Sequence, residues 1–401
     1  MTIQGGDGGS AGTGETAGSP GAGGHGVRLG DGASLTNEGT LQGGNGAVGG
    51  VGVRGSGVSI IDSGTIAGGF ASDGTTRANA ILFSGGTNAL TLESGATVTG
   101  NVVAASTGDT LALGGSANAG FDLSQVGASA QYQGFGIFAK SGSSTWMLTG
   151  PTDTSLQSMA FQLTQGGITI GDPAINSGIA TLNTAAFAWT GGSAVSLQLD
   201  AMPSNSDTIV VGGALTKVGS GSYLFHFGDG VASPATCGAA YPLIQANSIS
   251  GFSANDFSFD YAGSNPAFAG GISIVANRVV FTFSCAQTID FPAQPAHIFV
   301  SGGTFAINPA ATASSGLAVA YSSLTMGVCT VNGNIVTMLQ PGQCVLAADQ
   351  AGSPGYQPAA EVTQSVAINA PTVPTPALSF WMLAMLGGLL AAIGLVRVRA
   401  E

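Results

Sequence analysis

The sequence predicts an all-β protein: a right-handed parallel β-helix with a β-rich cap, then a small β-sandwich and one C-terminal transmembrane helix. Three observations lead to this prediction. Glycine supplies 67 of the 401 residues, and glycine disfavours helices. Short apolar and β-branched segments recur with the same turn residues, as in stacked-coil proteins. One uncharged run near the C-terminus has the length of a bilayer span.

Composition excludes several protein classes. Only 7% of the residues are charged, and 8 Lys and Arg against 20 Asp and Glu give a formal charge of −12. Nucleic acid is therefore not an expected partner, because no basic patch is available for phosphates. A coiled coil lacks its Glu/Lys pairs, and collagen lacks its glycine period of three. A hydrophobic fraction of 44% also opposes charge-driven disorder.

Internal repeats predict the β-helix over residues 1–195. Residues 26–44 and 52–69 share an apolar run, Asn or Asp-Ser, Gly-Thr-apolar and Gly-Gly, and residues 88–102 are a third variant. The element Thr-[Ile/Leu]-x-Gly-Gly occurs three times, at Thr2–Gly6, Thr40–Gly44 and Thr65–Gly69. Strands this short are stable only when stacked coils pair their backbones and share a core.

The N-terminus begins in the middle of this pattern. MTIQGGDGGS has neither a basic n-region nor an apolar h-region, so it is not a signal peptide. We therefore expect an N-terminally truncated chain, with further coils and an export signal upstream of Met1. Residues 4–26 have almost no hydrophobic side chains, and a free Gly-rich tail is the alternative to coils there.

Residues 109–150 add a resemblance. They read Asp-Thr-Leu, Gly-Gly, Phe-Asp and Gly-Phe, followed by Lys-Ser-Gly-Ser-Ser-Thr-Trp-x-Leu-Thr-Gly from Lys140 to Gly150. This stretch resembles the passenger domains of autotransporter-type β-helix proteins, and the resemblance extends over about residues 26–200. It implies an architecture rather than a chemistry. An autotransporter proper is disfavoured, because the chain ends in an apolar run instead of the alternating strands of a translocating domain.

Two β modules are expected next. Alternating segments over residues 196–286 predict a capping module, since the last coil of a β-helix otherwise exposes an edge. Residues 287–369 contain Gln287-Thr-Ile289, Val328-Cys-Thr-Val331 and Gly342-Gln-Cys344, and they resemble a bacterial immunoglobulin-like (Ig-like) repeat. Period-2 alternation agrees with such a sandwich.

Four cysteines, Cys237, Cys285, Cys329 and Cys344, allow three pairings. We favour Cys237–Cys285 and Cys329–Cys344, because each bridge closes a loop within one module; buried free thiols are the alternative. Disulfides indicate an oxidising compartment. Zinc is a poor interpretation, because no C-x-x-C pair is present and the three histidines are distant in sequence.

The C-terminal segment, residues 370–401, predicts an anchor. A Pro-rich spacer, residues 370–376, leads to 20 uncharged residues, 377–396, which as a helix span ~30 Å. Arg397 and Arg399 follow and place the chain end in the cytoplasm by the positive-inside rule. A buried core helix is the alternative. Everything upstream is then expected across the membrane.

This tail also resembles a bacterial C-terminal sorting signal of the Ile-Pro-Thr-Leu type. The matching positions are Pro374, Thr375, Leu378, Ser379 and Trp381. The sequence departs from the type at Val373, at Phe380 and at the interrupting Pro376-Ala377. The resemblance implies Gram-negative export and a sorting protease of the exosortase type as partner.

No catalytic residue, metal site or cofactor is expected. The Gly-rich run lacks the Gly-Lys-Ser/Thr ending of a phosphate loop, and isolated aspartates do not form calcium repeats. The basic residues Lys140, Lys217 and Arg278 are scattered, unlike those of a β-helix lyase. We interpret five carboxylates as turn residues that cap backbone amides: Asp200, Asp207, Asp229, Asp256 and Asp260.

The sequence therefore favours a non-enzymatic, cell-surface structural or adhesin-like protein. It is expected to be exported, anchored in the inner membrane by residues 377–396, and moved to the cell surface or beyond after processing. Its ligand, a glycan or a protein, is not indicated. A carbohydrate-active β-helix enzyme, a lyase or a hydrolase, is the alternative.

Overall fold

A computed structural model describes residues 1–13, 19–171, 180–234 and 236–372, together with Met382, Ala384 and Met385. The chain forms two compact units, residues 1–286 with 353–357 and residues 287–352 with 358–401. The described residues contain strands β1 to β36, numbered in chain order, and three short 3-10 helices. The 3-10 helices are Leu123–Gln125, Pro203–Asn205 and Ala254–Asp256.

The first unit is built from four sheets, which we number 1 to 4. Sheet 1 contains β1 (Thr2–Gln4), β4 (Thr40–Gln42), β7 (Thr65–Ala67) and β10 (Thr97–Thr99). Sheet 2 contains β2 (Val27–Arg28), β5 (Val53–Gly55), β8 (Ile81–Phe83), β11 (Val102–Val103) and β14 (Tyr132–Gln133). Sheet 4 contains β13 (Ala119–Asp122), β16 (Thr145–Thr149), β18 (Gly167–Ile170), β21 (Ala194–Leu199), β23 (Tyr223–Asp229) and β25 (Phe257–Tyr261).

Sheet 3 has 12 strands and runs through the whole unit. Its first eight strands are β3 (Ser34–Asn37), β6 (Ser59–Asp62), β9 (Ala89–Leu92), β12 (Thr110–Leu113), β15 (Ile137–Lys140), β17 (Ala160–Leu163), β20 (Ala186–Thr190) and β22 (Thr208–Val218). The sheet continues with β24 (Ala240–Ser250), β27 (Arg278–Phe283) and β26 (Gly270–Val275), and β19 (Thr181–Thr184) pairs with β22 beside this path.

Successive coils of the chain stack on one another. The triplets β2–β3–β4, β5–β6–β7 and β8–β9–β10 each place one strand in sheets 2, 3 and 1, and equivalent strands pair in parallel. Sheet 1 aligns Thr2, Thr40, Thr65 and Thr97 in one register row. The repeated Thr-[Ile/Leu]-x-Gly-Gly element thus marks the equivalent position of consecutive coils. The first unit is a β-helix-like all-β fold.

Two register rows of sheet 3 form the centre of the core. The first row is aliphatic at its beginning and aromatic further on: Leu35, Ile60, Leu90, Leu111, Phe138, Phe161 and Phe187. The rings of Phe161 and Phe187 stack with centroids 5.1 Å apart. The second row contains polar residues as well: Asn37, Asp62, Leu92, Leu113, Lys140, Leu163 and Trp189. Every member of the second row is buried.

The glycine-rich segments 5–9, 21–26, 43–50 and 68–70 pack backbone against backbone, and we call them the glycine seam. The Gly44 amide donates to the Gly24 carbonyl and the Gly50 amide to the Gly44 carbonyl, both at 2.8 Å. A Cβ on Gly50 would collide with the Gly24 carbonyl. The described part of residues 4–26 therefore lies against the coils through hydrogen bonds, as in the bond from the Gly24 amide to the Gly6 carbonyl, rather than as a free tail.

The parallel stacking continues through residues 196–261, because β21, β23 and β25 remain in register in sheet 4. Sheet 3 then changes direction. Strand β27 pairs antiparallel with both β24 and β26, so this hairpin forms the last part of the sheet. The Cys237–Cys285 disulfide joins the segment before β24 to the segment after β27.

The second unit is also all-β. One sheet is ordered β29 (His297–Ile298), β36 (Val362–Asn369), β35 (Gly342–Asp349) and β32 (Ala320–Ser323); another is ordered β30 (Thr304–Ala306), β34 (Ile335–Met338) and β33 (Cys329–Asn332). Strands β28 (Ile289–Asp290) and β31 (Thr312–Ala313) form a separate pair. Both larger sheets contribute to one core, which contains Val336, Leu346 and Val366.

The predicted anchor lies mostly outside the described residues. Met382, Ala384 and Met385 are helical. Within the part of the chain that the structure describes, no helix is both long and apolar enough to cross a membrane.

Candidate functional site

The four cysteines form two disulfides, Cys237–Cys285 and Cys329–Cys344. This is the favoured pairing of the three. The second bridge joins strands of different sheets: Cys329 is in β33 and Cys344 is in β35. Both sulfur-bearing residues are fully buried, so this bridge fastens the two sheets through the core of the unit.

The residues of the predicted sorting signal lie outside the described residues. They are Pro374, Thr375, Leu378, Ser379, Trp381, Arg397 and Arg399. Their role therefore stays a prediction from the sequence.

Lys140 is fully buried in the second core row, between Leu113 and Leu163. Its ammonium donates hydrogen bonds to the carbonyls of Ser141, of Gly142 at 2.9 Å and of Gln165 at 3.3 Å. Burial lowers the pKa of Lys140 to about 8, because a low-dielectric surrounding disfavours the charged form. The lysine thus satisfies carbonyls of two consecutive turns.

The turn that follows Lys140 also gives a role to the serine and tryptophan of the Lys-Ser-Gly-Ser-Ser-Thr-Trp motif. The Trp146 indole donates to the Gly114 carbonyl at 2.9 Å and to the Ser144 hydroxyl at 3.1 Å. The Ser144 hydroxyl donates to the same Gly114 carbonyl at 3.0 Å. Because Gly114 follows β12 of the preceding coil, the polar residues of this motif hold one coil to the next.

Buried amide and carboxylate side chains also hold coils together in other parts of the first unit. Asn88 accepts a hydrogen bond from the Val58 amide at 3.0 Å and donates to Asp109 at 3.1 Å. Asp109 also accepts from the amides of Asn88 and Ala105. A chain of hydrogen bonds thereby connects three consecutive coils.

Asn37 and Asp62 form a second pair of this kind. The Asn37 amide donates to Asp62 Oδ1 at 2.7 Å. Burial raises the pKa of Asp62, against the opposing effect of the hydrogen bonds from Asn37 and Gly64. Its other oxygen, Oδ2, is buried and has no hydrogen-bond partner among the described residues.

Four of the five aspartates that the sequence singles out accept hydrogen bonds from backbone amides, as the turn-capping interpretation expects. Asp200 accepts from Ala232, Asp207 from Ala180 and Gln198, Asp229 from Ser264, and Asp256 from Ser253. Asp207 is buried, which raises its pKa to about 6 although both backbone hydrogen bonds oppose the shift.

Asp229 and Asp256 have lowered pKa values. At Asp229, burial acts to raise the pKa, but hydrogen bonds from Tyr261 and Ser264 together outweigh it. At Asp256, the main cause is the hydrogen bond from Lys217 at 2.6 Å. Both carboxylates therefore act as ionised acceptors that hold local backbone.

Asp260, the fifth, belongs to an outward-facing row of sheet 4 that the sequence analysis did not identify. Thr169, Ser196, His226 and Asp260 occupy equivalent register positions of β18, β21, β23 and β25. His226 Nδ1 lies 2.6 Å from Asp260 Oδ1, and the two side chains are 44% and 57% exposed. We call these four residues the serine–histidine row.

The serine–histidine row places a hydroxyl, an imidazole and a carboxylate in the order used by serine hydrolases. A shallow depression beside it is lined by Thr169, Ser196, Gln198, His226 and Asp229. Among the described residues, no hydrogen bond joins Ser196 to His226; His226 is paired with Asp260. An exposed pair of this kind contributes little to stability, and both side chains of the pair are open to solvent.

Sequence reasoning missed this row for a geometric reason. Ser196, His226 and Asp260 are separated by 30 and 34 residues, and no constant repeat length connects them. Only the register of sheet 4 brings them together. His226 lies in β23.

Comparisons with known proteins leave the family open. No protein-family profile matches the chain, and no curated protein matches it.

Proposed function

We propose that this chain is a non-enzymatic, cell-surface structural or adhesin-like protein. Its stalk is a right-handed parallel β-helix, and its second unit is an Ig-like spacer. Residues 377–396 anchor it in the inner membrane until a sorting protease of the exosortase type acts near Pro374–Trp381. It then reaches the cell surface or the extracellular space, where its role is display, adhesion or envelope structure.

One observation carries the structural role. Three buried polar side chains of the first unit hold backbone between coils: Lys140 binds carbonyls of two turns, and Asn88 and Asp109 connect three coils. In an enzyme, polar side chains of this kind would contact the substrate. Here they join coils, which a stalk requires. The two disulfides support an oxidising, extracytoplasmic location.

Fractionation of cells tests the anchoring. The chain is produced behind an export signal as wild type, as Leu389→Arg and as Trp381→Ala. A charge at the centre of a span costs about 2.5–3.5 kcal/mol on the insertion scale, so Leu389→Arg is expected to leave the membrane fraction. Trp381→Ala is expected to remain there unprocessed. Identical fractionation and identical mature mass of all three proteins would refute the proposed sorting signal.

A second function is favoured by the serine–histidine row: hydrolysis of an ester, such as that of an acetylated sugar, at Ser196. The discriminating experiment incubates the purified chain with polysaccharides, with acetylated sugars and with a serine-directed fluorophosphonate probe. A structural protein shows no turnover and no labelling. Turnover that is lost in both Ser196→Ala and His226→Ala, while Thr169→Ala retains it, would establish the enzyme instead.

A further inference from the structure

One end of the second unit exposes a cluster of apolar side chains. Strands β29, β32, β34 and β36 end there, and β33 and β35 begin there, because Ile298 pairs with Asn369, Gly342 with Ile368 and Cys329 with Met338. The loops of this end are residues 299–303, 324–328 and 339–341. We call this end of the unit, with these loops, the apolar pole.

Backbone hydrogen bonds make the three loops one surface. The Gly302 amide donates to the Met338 carbonyl at 3.3 Å, and the Leu339 amide donates to the Val328 carbonyl at 2.8 Å. The Phe299 amide donates to the carbonyl of Asn369, the last residue of β36, at 2.8 Å. The chain therefore leaves the folded unit at the apolar pole.

The side chains at the apolar pole are unusually exposed for their type. Five large apolar residues have between 46% and 71% of their surface exposed: Ile298, Val300, Leu324, Met326 and Leu339. Single exposed hydrophobic residues need no explanation, but a cluster at one end of a small unit indicates a contact surface.

Charged residues are absent from the loops of the apolar pole. None of the pole loops contains Asp, Glu, Lys or Arg, and residues 287–372 contain three carboxylates and no Lys or Arg. Asp349 ends β35 and Glu361 immediately precedes β36, both at the far end of those strands. The eight residues of β36 span about 26 Å at ~3.3 Å per residue. Asp290 pairs with Thr312 in the separate strand pair.

The tether to the proposed span is short. Seven residues, 370–376, separate β36 from Ala377. Even fully extended, they reach only about 25 Å at ~3.3–3.6 Å per residue. The pole from which the chain leaves is therefore also the part of the unit that the tether keeps nearest to the bilayer.

We infer that the apolar pole rests in the interfacial layer of the bilayer, with its five exposed apolar side chains among the lipids. This inference relies on the proposed span over residues 377–396. An uncharged surface needs no anionic headgroup, so the contact is with lipid in general and is insensitive to salt. The carboxylates at the far end favour the same orientation, because they stay in water.

The test uses the full chain in nanodiscs of phosphatidylcholine. One exposed residue is replaced by cysteine and labelled with an environment-sensitive NBD dye, at the pole in Met326→Cys or Leu339→Cys. The matched control is Asn334→Cys, an exposed residue in the turn between β33 and β34 at the opposite end. The four native cysteines are all in disulfides, so only the introduced thiol takes the dye.

At the pole positions we expect NBD emission at shorter wavelength and quenching by spin-labelled lipid; at the control position we expect neither. Val300→Asp is expected to reverse the shift at position 326. Unshifted dye at both pole positions, with the chain still in the discs, would overturn the pole contact while leaving the span intact. A chain that fails to enter discs overturns the span and the contact together. A blue shift without lipid quenching, with two chains per disc, would identify a second copy as the occupant and equally overturn the inference.

Discussion

Lys140 and Leu163 occupy neighbouring positions of one core row, so an ammonium group and an aliphatic side chain are stacked between consecutive coils. Carbonyl groups of two turns accept the lysine's hydrogen bonds. A fully buried lysine is rare unless it is paired. Here the partners are backbone carbonyls instead of a carboxylate.

Lys140→Met is expected to lower the free energy of unfolding by about 1–3 kcal/mol, because the substitution leaves buried carbonyls without a donor. Urea denaturation followed by the fluorescence of the buried Trp146 and Trp189 measures the effect. Lys217→Met is the control. It removes a partly exposed ion pair with Asp256, which contributes little to stability because solvent screens it. A Lys140→Met chain as stable as wild type would mean that removing the buried charge compensates fully for the lost hydrogen bonds.

Gly50→Ala is expected to destabilise the first unit by about 1–3 kcal/mol, the usual cost of overpacking, because its new methyl group meets the Gly24 carbonyl. Gly30→Ala is the matched control: a Cβ there has no neighbour within 4 Å. Urea denaturation compares the two variants with wild type. Equal stability of both variants would show that the glycine seam is loosely packed.

Asp207 makes stability depend on pH. Its folded pKa of about 6 exceeds its ordinary value of 3.8, so between these values the folded chain binds more protons than the unfolded chain. The contribution of this group therefore increases as pH falls from 7 to 4 and is lost as pH rises through 6. In Asp207→Asn this component is absent. Urea midpoints at pH 7, 6, 5 and 4 should show the wild type gaining relative to the variant on acidification. Parallel pH profiles of the two proteins would contradict the assignment.

The Cys329–Cys344 bridge closes a loop with a sequence separation of 15, which on the chain-entropy model is worth ~3 kcal/mol. The double variant Cys329→Ala/Cys344→Ala should therefore lose hydrogen-exchange protection in β33 to β36, where both sheets depend on this link. Protection in β12 to β20 of the first unit serves as the internal control. Unchanged exchange in β33 to β36 would mean that Val336, Leu346 and Val366 hold the sheets together without the bridge.

The parts of the fold that follow from periodicity were predictable, and those that follow from register were not. The recurring Thr-[Ile/Leu]-x-Gly-Gly element identified equivalent coil positions, and the structure aligns Thr2, Thr40 and Thr65 in one row. In contrast, the burial of Lys140 depends on where its strand stands relative to Leu113 and Leu163. The meeting of Ser196, His226 and Asp260 depends on coils of unequal length. Neither leaves a local signal in the sequence.

The second unit shows the same division. Closure of a loop within one module favoured Cys329–Cys344. It did not reveal that the bridge joins two sheets, because β33 and β35 lie close together in sequence. The exposed side chains of the apolar pole could not be separated from core residues by hydrophobicity alone. Whether such a side chain is covered depends on where it lies relative to the end of its strand.

The glycine seam has a consequence for resistance to proteolysis. An extracellular protease binds its substrate as an extended strand, reading side chains in its subsites and pairing with free backbone amides. The seam offers few side chains, and the amides of Gly24, Gly44, Gly50 and Gly69 are already engaged by neighbouring coils. A surface of hydrogen-bonded backbone with few side chains is therefore a poor protease substrate, and the glycine-rich part of the first unit is expected to resist cleavage.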